Sequence, residues 1–342
     1  MIDKANLKDF SLGDLENLLL TNGFSKYRAA QVYSWIFKDV RNFEGMKNLP
    51  SSLIEFLNKS FYINKFTLLK KQVSKDGTIK FLFGLKDGNA IECVLMKYKY
   101  GYTICISTQV GCKMGCKFCA SATGGLIRNL TSGEMLEEVM AVSRVTDKTI
   151  SNIVLMGVGE PFDNYGEVMK FVHGANSHYG FNIGMRHITI STSGLVPKIY
   201  EFADEKLQCN LAVSLHSAID SVRSQLMPIN KKYNIESLIK ACKYYCNKTN
   251  RRISFEYALI DGLNDKESDA IALSSLLKNM LCYVNLIPLN YVAGKGLKKS
   301  KDREIEIFKN ILRKNHVSMT IRRELGQDID GACGQLRTKA GL

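Results

Sequence analysis

Between Leu7 and Phe61 the apolar residues recur at helical spacing. Leu12, Leu15, Leu18 and Leu19 form one stripe behind a Ser11 cap, and residues 27–37 form a second that carries Arg28, Gln31 and the only tryptophan, Trp35, with Lys38 at its end. A third run, 53–57, follows Pro50-Ser51-Ser52. The period then changes: 66–73, 78–85 and 90–96 predict three strands, separated by Lys75-Asp76-Gly77 and Lys86-Asp87-Gly88-Asn89, both suited to hairpin turns. From Tyr102 strands alternate with helices. Strands are predicted at 103–107, 153–156, 187–191, 210–214, 254–258, 284–288 and 317–321, with helices such as 132–144, 165–175 and 302–313 between them. The expected organisation is an N-terminal helical accessory domain (1–62), a β-meander extension (63–100) and an α/β unit (101–342). Such alternation predicts parallel strands closing into a full or partial barrel, with chemistry at the strands' C-terminal ends.

Apolar residues make up 45% of the 342 positions, charged residues 23%, and there are only 5 prolines, which excludes a disordered, collagenous or low-complexity chain. No run approaches the ~20 apolar residues of a membrane helix, and Met1-Ile2-Asp3-Lys4-Ala5-Asn6 lacks a signal peptide's apolar run. A cytoplasmic protein without a membrane partner is expected. Lys and Arg outnumber Asp and Glu 47 to 33, a net charge of +14 that attracts polyanions such as RNA. The helical N-terminal domain and the basic run 295–303 are the candidate RNA contacts, with a solvated loop as the plainer reading of that run.

Ten cysteines in a reducing compartment point to metal binding, catalysis or core filling more readily than to disulfides. Their spacing discriminates. In Cys112-Lys113-Met114-Gly115-Cys116-Lys117-Phe118-Cys119, thiolates four and three residues apart can wrap one cubane cluster, each on its own iron, and leave the fourth iron open. Zinc competes, but a structural zinc site needs a fourth ligand and none is obvious here; three inert core thiols would be a coincidence. Met156-Gly157-Val158-Gly159-Glu160-Pro161 follows the second barrel strand, where glycine lets backbone approach a ligand. Ser191-Thr192-Ser193-Gly194, Ser214-Leu215-His216 and Asn290 end later strands and could bind ribose and carboxylate groups.

The Cys-x-x-x-Cys-x-x-Cys spacing, with Phe118 before the last cysteine, resembles the radical S-adenosylmethionine (SAM) superfamily. That resemblance implies a partial (β/α)6-type barrel, a [4Fe–4S] cluster on Cys112, Cys116 and Cys119, and SAM chelated at the open iron and cleaved to a 5′-deoxyadenosyl radical. Gly159, Glu160, Ser191, Ser214, Leu215, His216 and Asn290 are the implied SAM-site residues. Five further segments narrow the resemblance: Gln109-Val110-Gly111-Cys112, Arg128-Asn129-Leu130-Thr131, Gly159-Glu160-Pro161 with Asn164-Tyr165, Leu226-Met227-Pro228-Ile229-Asn230, and Asp328-Ile329-Asp330-Gly331-Ala332-Cys333-Gly334-Gln335-Leu336-Arg337. They look like the RlmN branch of the RlmN/Cfr family, almost from end to end.

Membership would imply methylation of adenine C2 in 23S ribosomal RNA and in tRNA, with a flavodoxin-type electron donor. C2 is an electron-poor amidine carbon, so its direct attack on the methyl group of SAM is not available. The family places the methyl on a cysteine first, then abstracts one of its hydrogens. By match of motif the carrier is Cys333, the thiol that releases the RNA adduct by forming a disulfide is Cys105, and the proton acceptor is Glu92. Without the resemblance, Cys105 and Cys333 read as buried unreactive thiols and Glu92 as an outward-facing acid on a meander strand. The competing functions are a Cfr-like C8 methyltransferase, a non-catalytic iron–sulfur RNA-binding protein, and a radical enzyme acting on a small metabolite. The five cysteines argue against the second, the charge and the helical domain against the third.

Overall fold

The computed structural model describes residues 4–336. The N-terminal unit opens with β1 (Ala5–Asn6), runs through α1 (Leu12–Thr21), α2 (Tyr27–Phe37) and α3 (Ser51–Ser60), and closes with β2 (Phe61–Tyr62), which pairs in parallel with β1. A capping box starts α1 where the sequence places it: Ser11 Oγ accepts from the Asp14 amide at 3.1 Å, and the Asp14 carboxylate accepts from the Ser11 amide at 3.0 Å. Leu15, Leu19, Val32, Ile36, Leu53 and Leu57 fill a core belonging to this unit.

Next come β3 (Thr67–Val73), β4 (Ile79–Gly84), β5 (Ala90–Tyr98) and β6 (Gly101–Cys105), an antiparallel meander. A short hairpin of β7 (Gln109–Gly111) and β8 (Leu126–Asn129) follows, its three paired positions too few to leave a periodic signal in the sequence. The alternating part runs α4 (Ser132–Thr146), β9 (Ile150–Leu155), α5 (Tyr165–Asn176), β10 (Ile188–Thr192), α6 (Val196–Asp204), β11 (Asn210–Ser214), α7 (Asp220–Leu226), α8 (Ile235–Thr249), β12 (Ile253–Leu259), α9 (Glu267–Leu276), β13 (Cys282–Pro288), α10 (Asp302–Lys314) and β14 (Met319–Ile321).

All of these strands except β1, β2, β7 and β8 share one ten-stranded sheet in the order β14-β13-β12-β11-β10-β9-β6-β5-β4-β3. Within this sheet β6 and β9 to β14 are parallel, and the linear order leaves β3 and β14 as edges, so the barrel is partial. The meander is an antiparallel continuation of that sheet through β5 and β6. β12 is buried at every position, as a parallel strand covered on both faces must be. The basic run is divided by structure: Asp302 begins α10, so Asp302 and Arg303 belong to a helix.

The two units are joined through a buried ion pair between Lys8 and Glu137 of α4. Glu137 also accepts from Arg144 at 2.5 Å and from the Phe66 amide at 3.1 Å, so its charge is compensated inside the protein. No helix among the described residues is long and apolar enough to cross a membrane.

Candidate active site

The cysteine loop is pinned at both ends by backbone. Gly111 has φ +79°, and a Cβ there would lie 2.0 Å from the Gly125 carbonyl oxygen, so only glycine lets the two sides of the hairpin meet at this register. Beyond it the Cys112 amide donates to Gly125 O at 2.8 Å, Lys117 N to Leu226 O at 2.9 Å and Ala120 N to Gly334 O at 2.7 Å. Cys112, Cys116 and Cys119 thereby line one cavity of about 1010 Å³, open mouth included, with the ends of the parallel strands as its wall. Burial pushes the Cys112 thiol up to about 11 and raises Cys116 and Cys119 as well. Such thiols need a cationic centre to become thiolates, which bound iron would supply.

Among the described residues no group of three or more His, Cys, Asp or Glu side chains stands close enough together to hold a single metal ion. A cubane asks for something different, three thiols spread around a volume with one thiol per iron, and the wall offers that. Other groups on the wall are engaged. His216 Nδ1 accepts from the Ala258 amide at 2.9 Å, and burial, aided by nearby Arg223, lowers its pKa to about 3, so the ring is neutral with Nε2 as its donor. The Glu160 carboxylate accepts from the amides of Phe162 at 3.0 Å and Ser193 at 2.7 Å, tying the loop after β9 to the loop after β10. Burial still raises its pKa above the ordinary carboxylate value.

Gly159, Glu160, Ser191, Ser214, His216 and Asn290 all line this cavity. At Gly159, φ is +112° and a Cβ would come within 2.7 Å of the Gln109 side chain, so this loop can pass the hairpin only as glycine. Leu215 does not line it: the side chain turns into the main core, and its carbonyl accepts from Arg223 at 3.1 Å. Sequence reasoning missed Glu256 and Arg322, which also line the wall. Glu256 sits inside β12 and accepts from Ser254 at 2.7 Å and Asn285 at 2.8 Å. An acid in a fully buried strand was the available signal; for Arg322, just past the edge strand β14, there was none.

Cys333 stands where this cavity meets a smaller one of about 550 Å³, lined by Val94, Met96, Tyr98, Cys105 and Met156 among others. The segment carrying it is fastened on two sides. Asp328 accepts from Ser74 Oγ at 2.6 Å and the Lys75 amide at 3.2 Å, while Asp76 accepts from Gly326 N at 2.8 Å and Lys80 donates to Asp330 O at 3.1 Å. On the barrel side Asn290 donates to Cys333 O at 3.0 Å and Ser121 to Leu336 O at 2.7 Å. Asn290 therefore holds the Cys333 backbone. Arg337, the last residue of the C-terminal motif, lies outside the described residues.

Two expectations need correction. All ten cysteines are free, so the disulfide implied for Cys105 and Cys333 is not formed. Burial pushes the Cys105 thiol up to about 12, so at rest it is held as the protonated thiol. Glu92 is not an outward-facing acid: it is only 4% exposed and paired with Lys80 at 3.0 Å, because β4 and β6 flank β5 and the Cys333 segment packs against Lys80. It is not among the residues lining either cavity.

Two family models match the chain: the ribosomal RNA large subunit methyltransferase N-terminal domain over residues 5–63 and the radical SAM superfamily over 106–273. A probable dual-specificity RNA methyltransferase RlmN of Thermoanaerobacter sp. (strain X514) is 54% identical over 336 residues, covering 98% of each chain. Its counterpart in Clostridium tetani is 53% identical over 340 residues, 99% of this chain and 97% of that one. The chain belongs to the RlmN family of radical SAM RNA methyltransferases. A crystal structure of a radical SAM methyltransferase from Sphaerobacter thermophilus superposes with a TM-score of 0.91 at 44% identity, covering 97% of this chain and 99% of that one.

Several residues that carried the RlmN resemblance are scaffolding around the cysteine loop. Arg128 grips Glu134 at 2.7 and 2.8 Å and Asp87 at 2.6 Å, fixing the start of α4 against the meander. Gln109 donates to Asn129 and Asp163 and accepts from Glu160 N, while Asn164 donates to Thr108 O and Leu130 O. Asn230 accepts from buried Arg223 at 2.7 Å, and Met227 reaches the cavity wall.

Proposed function

We propose that the chain methylates C2 of an adenosine in 23S ribosomal RNA and in tRNA through a methylated Cys333, as a cytoplasmic enzyme reduced by a flavodoxin-type donor. The observation that carries this reading is Cys333 at the junction of two cavities, one bearing the three loop cysteines and the other Cys105. Held by Cys112, Cys116 and Cys119, a [4Fe–4S] cluster with SAM would supply the 5′-deoxyadenosyl radical. The Cys333 thiol, on losing its proton, takes the methyl group of one SAM by displacement with S-adenosylhomocysteine as the leaving group, and presents it to the cavity from a segment anchored by Asn290, Ser121 and the meander turn. Ser191, Ser214 and the neutral His216 offer donors to a bound SAM at the strand ends. Cys105 is the second thiol, required to release RNA from Cys333. Glu92 accepts the C2 proton once the Cys333 segment moves to admit the base, since at rest it is paired with Lys80.

Nucleoside analysis of ribosomal RNA and tRNA from a deletion strain is the test: 2-methyladenosine disappears in both and returns with the gene. Loss of 8-methyladenosine instead would reassign the regiochemistry, and no change in either would remove the activity. Affinity for RNA falls steeply with salt, because the +14 charge acts through contacts to phosphates. Flat binding between low and moderate salt would contradict that.

A further inference from the structure

Residues 97–100 read Lys-Tyr-Lys-Tyr and lie where β5 turns into β6. Tyr98 pairs with Gly101 in the antiparallel register, so Lys99 and Tyr100 form a two-residue hairpin tip held by strands on both sides. Tyr98 lines the smaller cavity together with Cys105 and Cys333. The Tyr100 ring stacks on it, centroids 5.0 Å apart with planes 5° from parallel, and is itself 67% exposed. The outer ring of an aromatic stack whose inner ring lines the cavity of Cys105 and Cys333 is thus left open to solvent. Lys97 and Lys99 beside it are exposed, Arg322 and Arg323 line the same cavity, and Glu324 on that wall is paired with Lys299 at 2.9 Å. Two exposed lysines therefore alternate with the stacked tyrosines in sequence, and two arginines, one of them 4.0 Å from Glu256, line the cavity that the inner ring reaches.

We propose that Tyr100 is a stacking platform for an RNA nucleobase next to the modified adenosine, with Lys97 and Lys99 on the adjoining phosphates. This rests on the RNA-methylating reading. An adenosine presented to Cys333 must leave its stack, and its neighbour then loses a stacking partner. An open tyrosine ring at the cavity edge replaces that partner for any base, since every base has a π-face, while the lysines follow the backbone without reading sequence. Charge and aromatic spacing together favour single-stranded RNA over an acidic protein as the occupant.

The test uses the full chain and a stem-loop RNA carrying the target adenosine, with 2-aminopurine at the flanking position. Wild type and Tyr100→Phe quench the 2-aminopurine on binding. Tyr100→Leu does not, and binds about 5- to 150-fold more weakly with an unchanged slope of log Kd against log salt. Lys97→Ala and Lys99→Ala lower that slope. SAM cleavage without RNA, driven by a chemical reductant, is the same in wild type and Tyr100→Leu, which excludes a general defect. Equal quenching and affinity in Tyr100→Leu would overturn the platform while leaving methylation standing. Wild type that neither binds nor methylates the RNA would overturn the underlying reading. Slower reduction of Tyr100→Leu by a flavodoxin-type protein, with RNA binding intact, would assign this face to the reductant and overturn the proposal.

Discussion

Cys333→Ala is expected to abolish RNA methylation, by about 10⁴-fold or more, with the iron content of the protein unchanged. In the proposed mechanism the thiol makes a covalent bond that no neighbour can make in its place: Ala332 and Gly334 carry no nucleophile, and Cys105 sits on the strand β6 with its thiol held protonated by burial. Isotope labelling separates the carrier from direct transfer. With SAM bearing a trideuterated methyl group, the product methyl keeps two deuteriums, and one appears in 5′-deoxyadenosine once the carrier has turned over. Two SAM molecules are consumed for each methylation. Cys105→Ala stalls after the carbon–carbon bond has formed, with RNA attached through Cys333. Three deuteriums in the product, or normal turnover by Cys333→Ala, would sink the carrier assignment.

Replacing any one of Cys112, Cys116 or Cys119 by Ala should remove both the cluster and all turnover. His216 and Glu160 on the same wall are already bound to backbone amides, and Cys333, the other thiol there, is held on its own segment by Asn290 and Ser121, so a lost thiolate has no ready substitute. Iron and acid-labile sulfide per chain after anaerobic reconstitution are the readout, with the melting temperature of the apoprotein as a control for folding. Wild type should carry one four-iron cluster per chain. Stoichiometric zinc without iron in wild type purified anaerobically, or a full cluster in a single-alanine variant, would refute the ligand set.

The loop spacing of Cys112, Cys116 and Cys119, the β-α alternation and the meander were legible along the chain because each is a local pattern. Ligand spacing is fixed by loop length, and hydrophobic period by backbone geometry. The order of the main sheet largely follows the chain, since consecutive elements pack as neighbours. What only tertiary structure decided is who meets whom at long range. Asp328 reaches Ser74, 254 residues away along the chain, and Ser121 reaches Leu336 across 215. Those contacts set Cys333 beside the cysteine loop. No periodicity encodes them, because a hydrogen bond between distant loops depends on where the whole sheet delivers each end. For the same reason Glu92 alternates like a surface residue in the sequence but is buried with Lys80. The side chain covering that face comes from β4, and the chain covering it in turn comes from the C-terminal segment.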